Sequence, residues 1–286
     1  MQPGQKDVED KRLMIDRVSA GYRIVVVAAL AAVLGGPAAA QTDYYNTDKG
    51  RPVRVEDAYP VERHAFELQI APLRLERTGG GVYSWEVAPE VAWGVLPRTQ
   101  LELAFPLAHV DAGTAAKASG LAGIELSALY NLNNETRTLP ALAIAADVLL
   151  PAGGLGPDRV YPTLKGIATR TFSRARFHAN AEYTLGPDAG EGDEVGEASR
   201  WMAGIAVDRT FPIRSILVTA DLFAEQALDS GESLSWTAEA GLRYQTSPQF
   251  NVDLGIGRRF AGEEQGWSFT VGVAHAFALR TLLPGR

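Results

Sequence analysis

The chain has 286 residues, 27 basic against 34 acidic side chains, a net charge of −7 and no cysteine. That length suits one large domain or two small ones. Disulfide frameworks, thiolate nucleophiles and cysteine-ligated metals are excluded, and there is no basic footprint for nucleic acid.

The first forty residues read as a signal peptide. Arg17 and Arg23 supply the positive region, Ile24 to Gly36 the apolar run, and Pro37-Ala38-Ala39-Ala40 a small-residue cleavage site before Gln41. The apolar run is shorter than the ~20 residues a membrane helix needs. The polar, acidic residues before Met14 make Met14 an alternative start to Met1. Removing residues 1–40 takes away five basic and four acidic side chains, so the net charge moves from −7 to −8. No later apolar run is long enough for a transmembrane helix. Any span must therefore be a closed barrel, because lipid offers open backbone groups no partner.

Residues 41–62 are polar, carry Gly50, Pro52 and Pro60, and are expected to form a periplasmic N-terminal segment. From Arg63 onward an alternation of period two takes over, the signal of half-buried strands. It predicts twelve strands, at about 64–75, 82–95, 100–110, 121–132, 140–150, 162–172, 176–186, 200–211, 215–226, 234–245, 249–260 and 266–277. In the second, Tyr83, Trp85, Val87, Pro89, Val91, Trp93 and Val95 share one face. In the eleventh, Phe250, Val252, Leu254 and Ile256 oppose Asn251, Asp253, Gly255 and Gly257. The sixth is the weakest, because Lys165 and Arg170 fall on opposite faces. Pro89 implies a bulge in the second, since proline removes a ladder hydrogen bond. The count is even, as in single-chain bacterial barrels, and most strands meet the ~9–11 residues a tilted crossing needs.

Connections alternate in kind. Leu96-Pro97-Arg98, Ser173-Arg174-Ala175, Pro212-Ile213-Arg214 and Thr246-Ser247-Pro248 are short turns, and Asn133–Leu139 is longer in the same slot. Asp111–Gly120, Pro151–Tyr161, Pro187–Ser199, Ala227–Ser233 and Ala261–Gln265 are mostly longer, glycine-rich and often acidic, whereas Thr78–Gly81 is short. Short periplasmic turns and long outward loops are the barrel pattern. Tyr83, Trp85, Tyr183, Trp201, Trp236, Phe260 and Trp267 fall at the loop ends of strands. Trp93, Tyr130, Phe177, Phe211, Tyr244, Phe250 and Phe277 fall at the turn ends. Two aromatic girdles flanking an aliphatic belt fit a bilayer, whereas a β-sandwich would gather its aromatics at mid-strand.

The inward face is expected to carry Glu86, Glu90, Glu102, Glu125, Asp147, Glu182, Asp208, Asp221, Glu225, Glu239 and Asp253, with His178, Asn180, Arg243 and Arg259. One reading is an acid-rich lumen that disfavours anions and admits cationic or neutral polar solutes. The other is an interior of paired charges and water too narrow to conduct, since twelve strands lie between filled barrels and wide porins. On this assignment Leu254→Arg is costly, while Asp253→Asn assembles normally and changes at most selectivity.

Signals for an enzyme are poor. His109 and His275 fall on the lipid face, and His178 shares the lumen face with Asn180 and Glu182. No serine stands beside His178 in its own strand, and no G-x-S-x-G elbow occurs. Asp188, Glu191, Asp193, Glu194 and Glu197 crowd one loop without the ligand spacing of a calcium hand, so neither metal nor cofactor is expected.

The run Arg51-Pro52-Val53-Arg54-Val55-Glu56-Asp57-Ala58, then Thr163-Leu164-Lys165-Gly166, His178-Ala179-Asn180 and the strand from Trp201, resemble the Gram-negative outer-membrane family labelled as MetA-pathway phenol-degradation proteins, also called transporters. The resemblance covers roughly residues 51–277. It implies a β-barrel that takes up small, including aromatic, organic compounds, and it carries over no site residue. Phe277 suits the terminal aromatic read by barrel-assembly machinery, although Ala278 to Arg286 follow it.

The expected protein is thus all-β: an antiparallel up-and-down transmembrane barrel over 63–277 with a tail at 278–286. The expected function is an outer-membrane channel or transporter for small molecules. Its expected partners are the solute, outer-membrane lipid and lipopolysaccharide, and the assembly machinery. The alternatives are a lipid-modifying barrel using His178 or His109, and a plugged structural or adhesion barrel.

Overall fold

An alternating strand has one apolar and one polar face, and its edge N–H and C=O groups need partners on both sides. In the computed structural model the strands meet that need by closing on one another. The structure describes residues 46–111, 117–188, 199–210, 214–228, 231, 233–263 and 265–278. The expected signal peptide, Phe211, positions 189–198 of the acidic loop and the expected tail beyond Ala278 lie outside these residues.

The strands are β1 (Ala65–Thr78), β2 (Tyr83–Leu96), β3 (Thr99–Ala104), β4 (Leu107–Asp111), β5 (Lys117–Leu121), β6 (Ile124–Asn133) and β7 (Ala141–Leu150). They continue as β8 (Tyr161–Thr171), β9 (Arg176–Thr184), β10 (Ser199–Thr210), β11 (Ile216–Ala227), β12 (Ser235–Ser247), β13 (Phe250–Ala261) and β14 (Gly266–Ala278). Each pairs antiparallel with its neighbours, and β1 pairs with both β2 and β14, which closes the sheet. β3 with β4, and β5 with β6, are halves of single strands, so the barrel has twelve strands. All twelve predicted segments are there.

Pro89 does not cause a bulge in its own strand. β2 meets β3 up to Glu90↔Ala104 and resumes with β4 from Val87↔Leu107 in unchanged register. Pro89 and Pro106 lie in the gap, and neither has an N–H to donate. Phe105 N–H still reaches the Pro89 carbonyl at 3.0 Å. The bulge is in β1, between Ile70 and Leu73, where the register shifts against both neighbours. A second shift separates β5 from β6 at Gly123, whose φ of 113° suits a residue without a side chain. The sixth predicted strand, β8, is intact: Lys165 points inward, and Arg170, near the turn end, donates to the turn carbonyls of Thr136, Arg137 and Leu139.

Large apolar side chains cover the outside, among them Ile205, Leu126, Leu164, Leu242, Leu254 and Val271. Tyr83, Trp85, Tyr183, Trp236, Phe260 and Trp267 stand exposed at the loop end, and Tyr130, Phe177 and Tyr244 at the turn end. At the seam, Phe277 of β14 stacks on Phe66 of β1, which stacks on Trp93 of β2, each with centroids 5.5 Å apart. Water does not reward so greasy an exterior; lipid does.

Residues 46–62 are not a leader outside the barrel, as their polarity suggests. They run through its interior, with Arg51, Val53, Val55 and Ala58 wholly buried. The reason is that the barrel interior is itself polar. A chain rich in charge finds partners there that a soluble protein core would not offer.

Candidate channel interior

The inner segment is a hairpin. Thr47 N–H donates to the Asp57 carboxylate at 3.1 Å and Asp57 N–H to the Thr47 carbonyl at 3.0 Å, while Gly50 N–H closes the bend on Val53 at 2.9 Å. An extended segment surrounded by other chain needs partners for its backbone, and wall side chains provide them. Asp221 of β11 accepts the amides of Arg54 and Val55 at 2.8 and 3.0 Å, and Glu239 of β12 also accepts that of Arg54 at 2.9 Å. Asn180 of β9 accepts the Glu56 amide and donates to its carbonyl, both at 2.9 Å. Thr169 of β8 accepts the Ala58 amide at 3.0 Å, Asn131 of β6 donates to its carbonyl at 2.8 Å, and Gln100 of β3 accepts the Val61 amide.

Charge fixes the register. Arg51 contacts Asp253, Asn251, Glu67 and Asp48. Arg54 reaches Glu182 at 2.7 Å, and Lys165 reaches Glu56 at 2.6 Å. Arg243 donates to Asp253 at 2.6 Å and to the carbonyls of Arg51 and Asn46. Burial pushes the Asp57 carboxyl up to about 6, against the pull of Arg176 and His178. Burial, reinforced by Glu67, does the same to Asp48, also to about 6. For Lys49 burial is the largest influence and opposes the charge, but the surrounding carboxylates, Glu125 foremost and then Glu182, together hold the ammonium above its ordinary range.

Beside the hairpin, opening towards the loop end, is a vestibule of about 1180 Å³ that is continuous with solvent. Asp48, Glu56, Glu86, Glu90, Glu102, Glu125, Asp147 and Glu182 line it, against Lys49, Arg54 and Lys165. Carboxylates therefore outnumber cations around the open space, and a low-dielectric wall strengthens their field.

The sequence-predicted residues divide into groups. Glu86, Glu90, Glu102, Glu125, Asp147 and Glu182 line the vestibule. Asn180, Asp221, Glu239 and Asp253 hold the hairpin, as does Arg243, and Glu182 serves both places. His178 is buried between Thr169 (3.0 Å) and Asp208 (2.7 Å), where it orders the wall; Arg176 joins Asp208 to Asp57. Arg259 stands apart, near the loop end, 3.8 Å from Glu76. No group of acids or histidines placed to hold a metal occurs among the described residues. His109 lies on the outer face, its ring stacked on Trp85 and its Nδ1 2.6 Å from Ser119 Oγ.

Sequence reasoning missed the hairpin and its cations. A signal was available: eleven inward carboxylates against Arg243 and Arg259 leave a charge that a barrel interior cannot bury uncompensated. Lys49, Arg51 and Arg54 of the segment before the first strand supply compensating cations, together with Arg74 and Lys165 of the wall.

No protein-family profile matches the chain, and no curated protein sequence does. Solved structures do. The COG4313 outer membrane channel from Pseudomonas putida F1 is similar over 81% of this chain and 100% of that one, at 13% identity and a TM-score of 0.55. The translocator domain of the autotransporter NalP from Neisseria meningitidis is similar over 91% and 97%, at 12% identity and a TM-score of 0.50. A KdgM porin aligns over 74% and 99%, at 13% identity and a TM-score of 0.46. Likeness at these identities is likeness of fold. With the closed sheet and the apolar exterior, it defines the protein as an outer-membrane β-barrel.

Proposed function

We propose that the protein is a channel for small cationic or neutral polar solutes, gated by the hairpin of residues 46–62. The observation that carries this reading is the carboxylate-rich vestibule opening towards the loop end, bounded within the barrel by the hairpin. Acidic linings select against anions, and a segment held by side chains alone can be displaced without breaking the wall. The resemblance to phenol-degradation transporters narrows the solutes to small organic compounds. Leu149 at the vestibule, packed against Tyr161 and Leu228, gives an aromatic solute an apolar side. Outer-membrane lipid and lipopolysaccharide around the barrel, and the assembly machinery at Phe277, complete the partners of this reading.

The test is conductance of the refolded full-length protein in planar bilayers under a potassium chloride gradient. A reversal potential of cation-selective sign is expected, with conductance rising in variants that weaken the hairpin seat. Background conductance in both the parent and those variants sinks the channel reading and leaves a plugged structural barrel.

A second reading, hydrolysis of membrane lipid, has the His109–Ser119 pair in its favour, a base beside a hydroxyl on the outer face. Phospholipid hydrolysis that persists unchanged in Ser119→Ala removes it.

A further inference from the structure

Lys49 differs from the other cations of the hairpin. The ion pairs of Arg51 with Asp253 and of Arg54 with Glu182 are at most 5% exposed, whereas Lys49–Glu125, 3.1 Å long, is 28% and 29% exposed. The Lys49 ammonium borders the open vestibule and can leave Glu125 without disturbing the rest of the hairpin. Around it the acids are under-compensated. Arg54 and Lys165 are committed to Glu182, Glu56 and Asp147. Among the described residues no ion pair reaches Glu90 or Glu102; Glu102 accepts only from the Gln100 amide. Glu90 and Glu125 flank β3 at one level, since Ala104 pairs with both, and Glu102 lies two residues along β3 on the same inward face.

Elsewhere in the lining, the Ser199 hydroxyl is buried, with the residue 5% exposed, and has no hydrogen-bond partner among the described residues. Thr163 and Thr184, bonded to each other at 2.8 Å, lie in the same lining. A buried hydroxyl without a partner costs free energy, and one in the lining of an open cavity is an anchor for a ligand's polar group.

We propose that the vestibule is a binding site for organic cations bearing a primary ammonium group and a second hydrogen-bonding group, and that Lys49 occupies the ammonium position as an internal competitor. An ammonium has three donors that separate carboxylates accept readily. A hard divalent ion instead demands six or more converging oxygens, and no such group occurs among the described residues. The inference rests on the channel reading for its solute class, but the binding it asserts is measured independently.

The probe is 5-amino-1-pentanol, titrated calorimetrically into the full-length protein refolded in detergent, with 1-pentanol and pentanoate as controls. Saturable binding of the amino alcohol alone is expected. Lys49→Gln should bind it about two- to fivefold tighter, the worth of a partly exposed ion pair removed as competitor. Glu90→Gln with Glu102→Gln should weaken it about tenfold, and Ser199→Ala should weaken the amino alcohol but not pentylamine. Retention of the heat-dependent gel shift shows that each variant is folded. Equal binding of pentanoate or pentanol, or a Lys49→Gln affinity unchanged or weaker, overturns the proposal. Conduction without saturable binding overturns this inference alone, and binding without conduction in any variant overturns the channel reading alone.

Discussion

Arg51 and Asp253 are 202 residues apart in sequence, yet the Arg51 guanidinium donates to one Asp253 oxygen from Nη2 at 2.8 Å and from Nε at 3.1 Å, with both side chains buried. The pair clamps the hairpin to β13. Arg51→Met leaves Asp253, Glu67 and Asp48 without their shared cation, and loss of one partner from a buried pair costs about 3–5 kcal/mol. Because the chain lacks cysteine, Val55→Cys gives a selective probe at a wholly buried site. Its thiol should resist a polar maleimide in the parent and react readily in the Arg51→Met background. Equal labelling rates in the two would show that Arg51 does not hold the hairpin.

Gly255 makes a cleaner lever, because it acts from the wall. A methyl group there would lie 2.7 Å from the Pro52 carbonyl oxygen and 3.2 Å from Pro52 Cβ, while its nearest wall neighbour, Thr270, is at an ordinary 3.5 Å. Gly255→Ala therefore obstructs the hairpin and spares the barrel. The expected result is an unchanged heat-dependent gel shift with a higher single-channel conductance. A conductance equal to the parent's would mean that the hairpin yields to the methyl group in place.

The strands were legible because lipid imposes a rule that needs no knowledge of partners. Leu254 and Ile256 face out, Asp253 and Gly255 face in, and period two places each without reference to its neighbours. The girdle residues Trp85 and Tyr244 follow for the same reason. What could not be read was pairing between distant residues. Arg51 and Arg54 look solvated in sequence, and only the assembled lumen shows that Asp253 and Glu182 await them. The bulge was misplaced for a related cause. Pro89 is a poor donor, and which strand yields depends on what stands opposite it.

The same pairing changes the expected effect at two adjacent positions. Leu254 is exposed on the lipid face, so Leu254→Arg should cost about 2–4 kcal/mol if it lies near the bilayer midplane. The sequence alone suggested that Asp253→Asn would be tolerated. In the structure Asp253 is fully buried and neutralises Arg51 and Arg243 together, so Asp253→Asn leaves two buried guanidiniums short of an anion. Urea titration of the refolded variants should show Leu254→Arg destabilising the barrel. Asp253→Asn should keep the barrel and expose the Val55→Cys thiol. A fully protected thiol in Asp253→Asn would restore the simpler view of Asp253 as lining.

The hairpin should also respond to pH, through Asp57. Its carboxyl sits among Arg176, His178 and Asp208, accepts the amides of Thr47 and Tyr59, and is pushed by burial from 3.8 up to about 6. A seated-state value above the free one means that the seated hairpin holds the proton more tightly. Protonation then favours seating; the contribution is complete below about 3.8 and is lost as pH rises through about 6. Asp48, also raised to about 6, acts in the same direction. Open probability in bilayers should accordingly climb between pH 4 and 7.5. Asp57→Asn, uncharged throughout and still able to accept one amide, should flatten part of that climb while Asp48 sustains the remainder. An open probability that falls across this interval in the parent, or a profile identical in Asp57→Asn, would remove Asp57 from the gate.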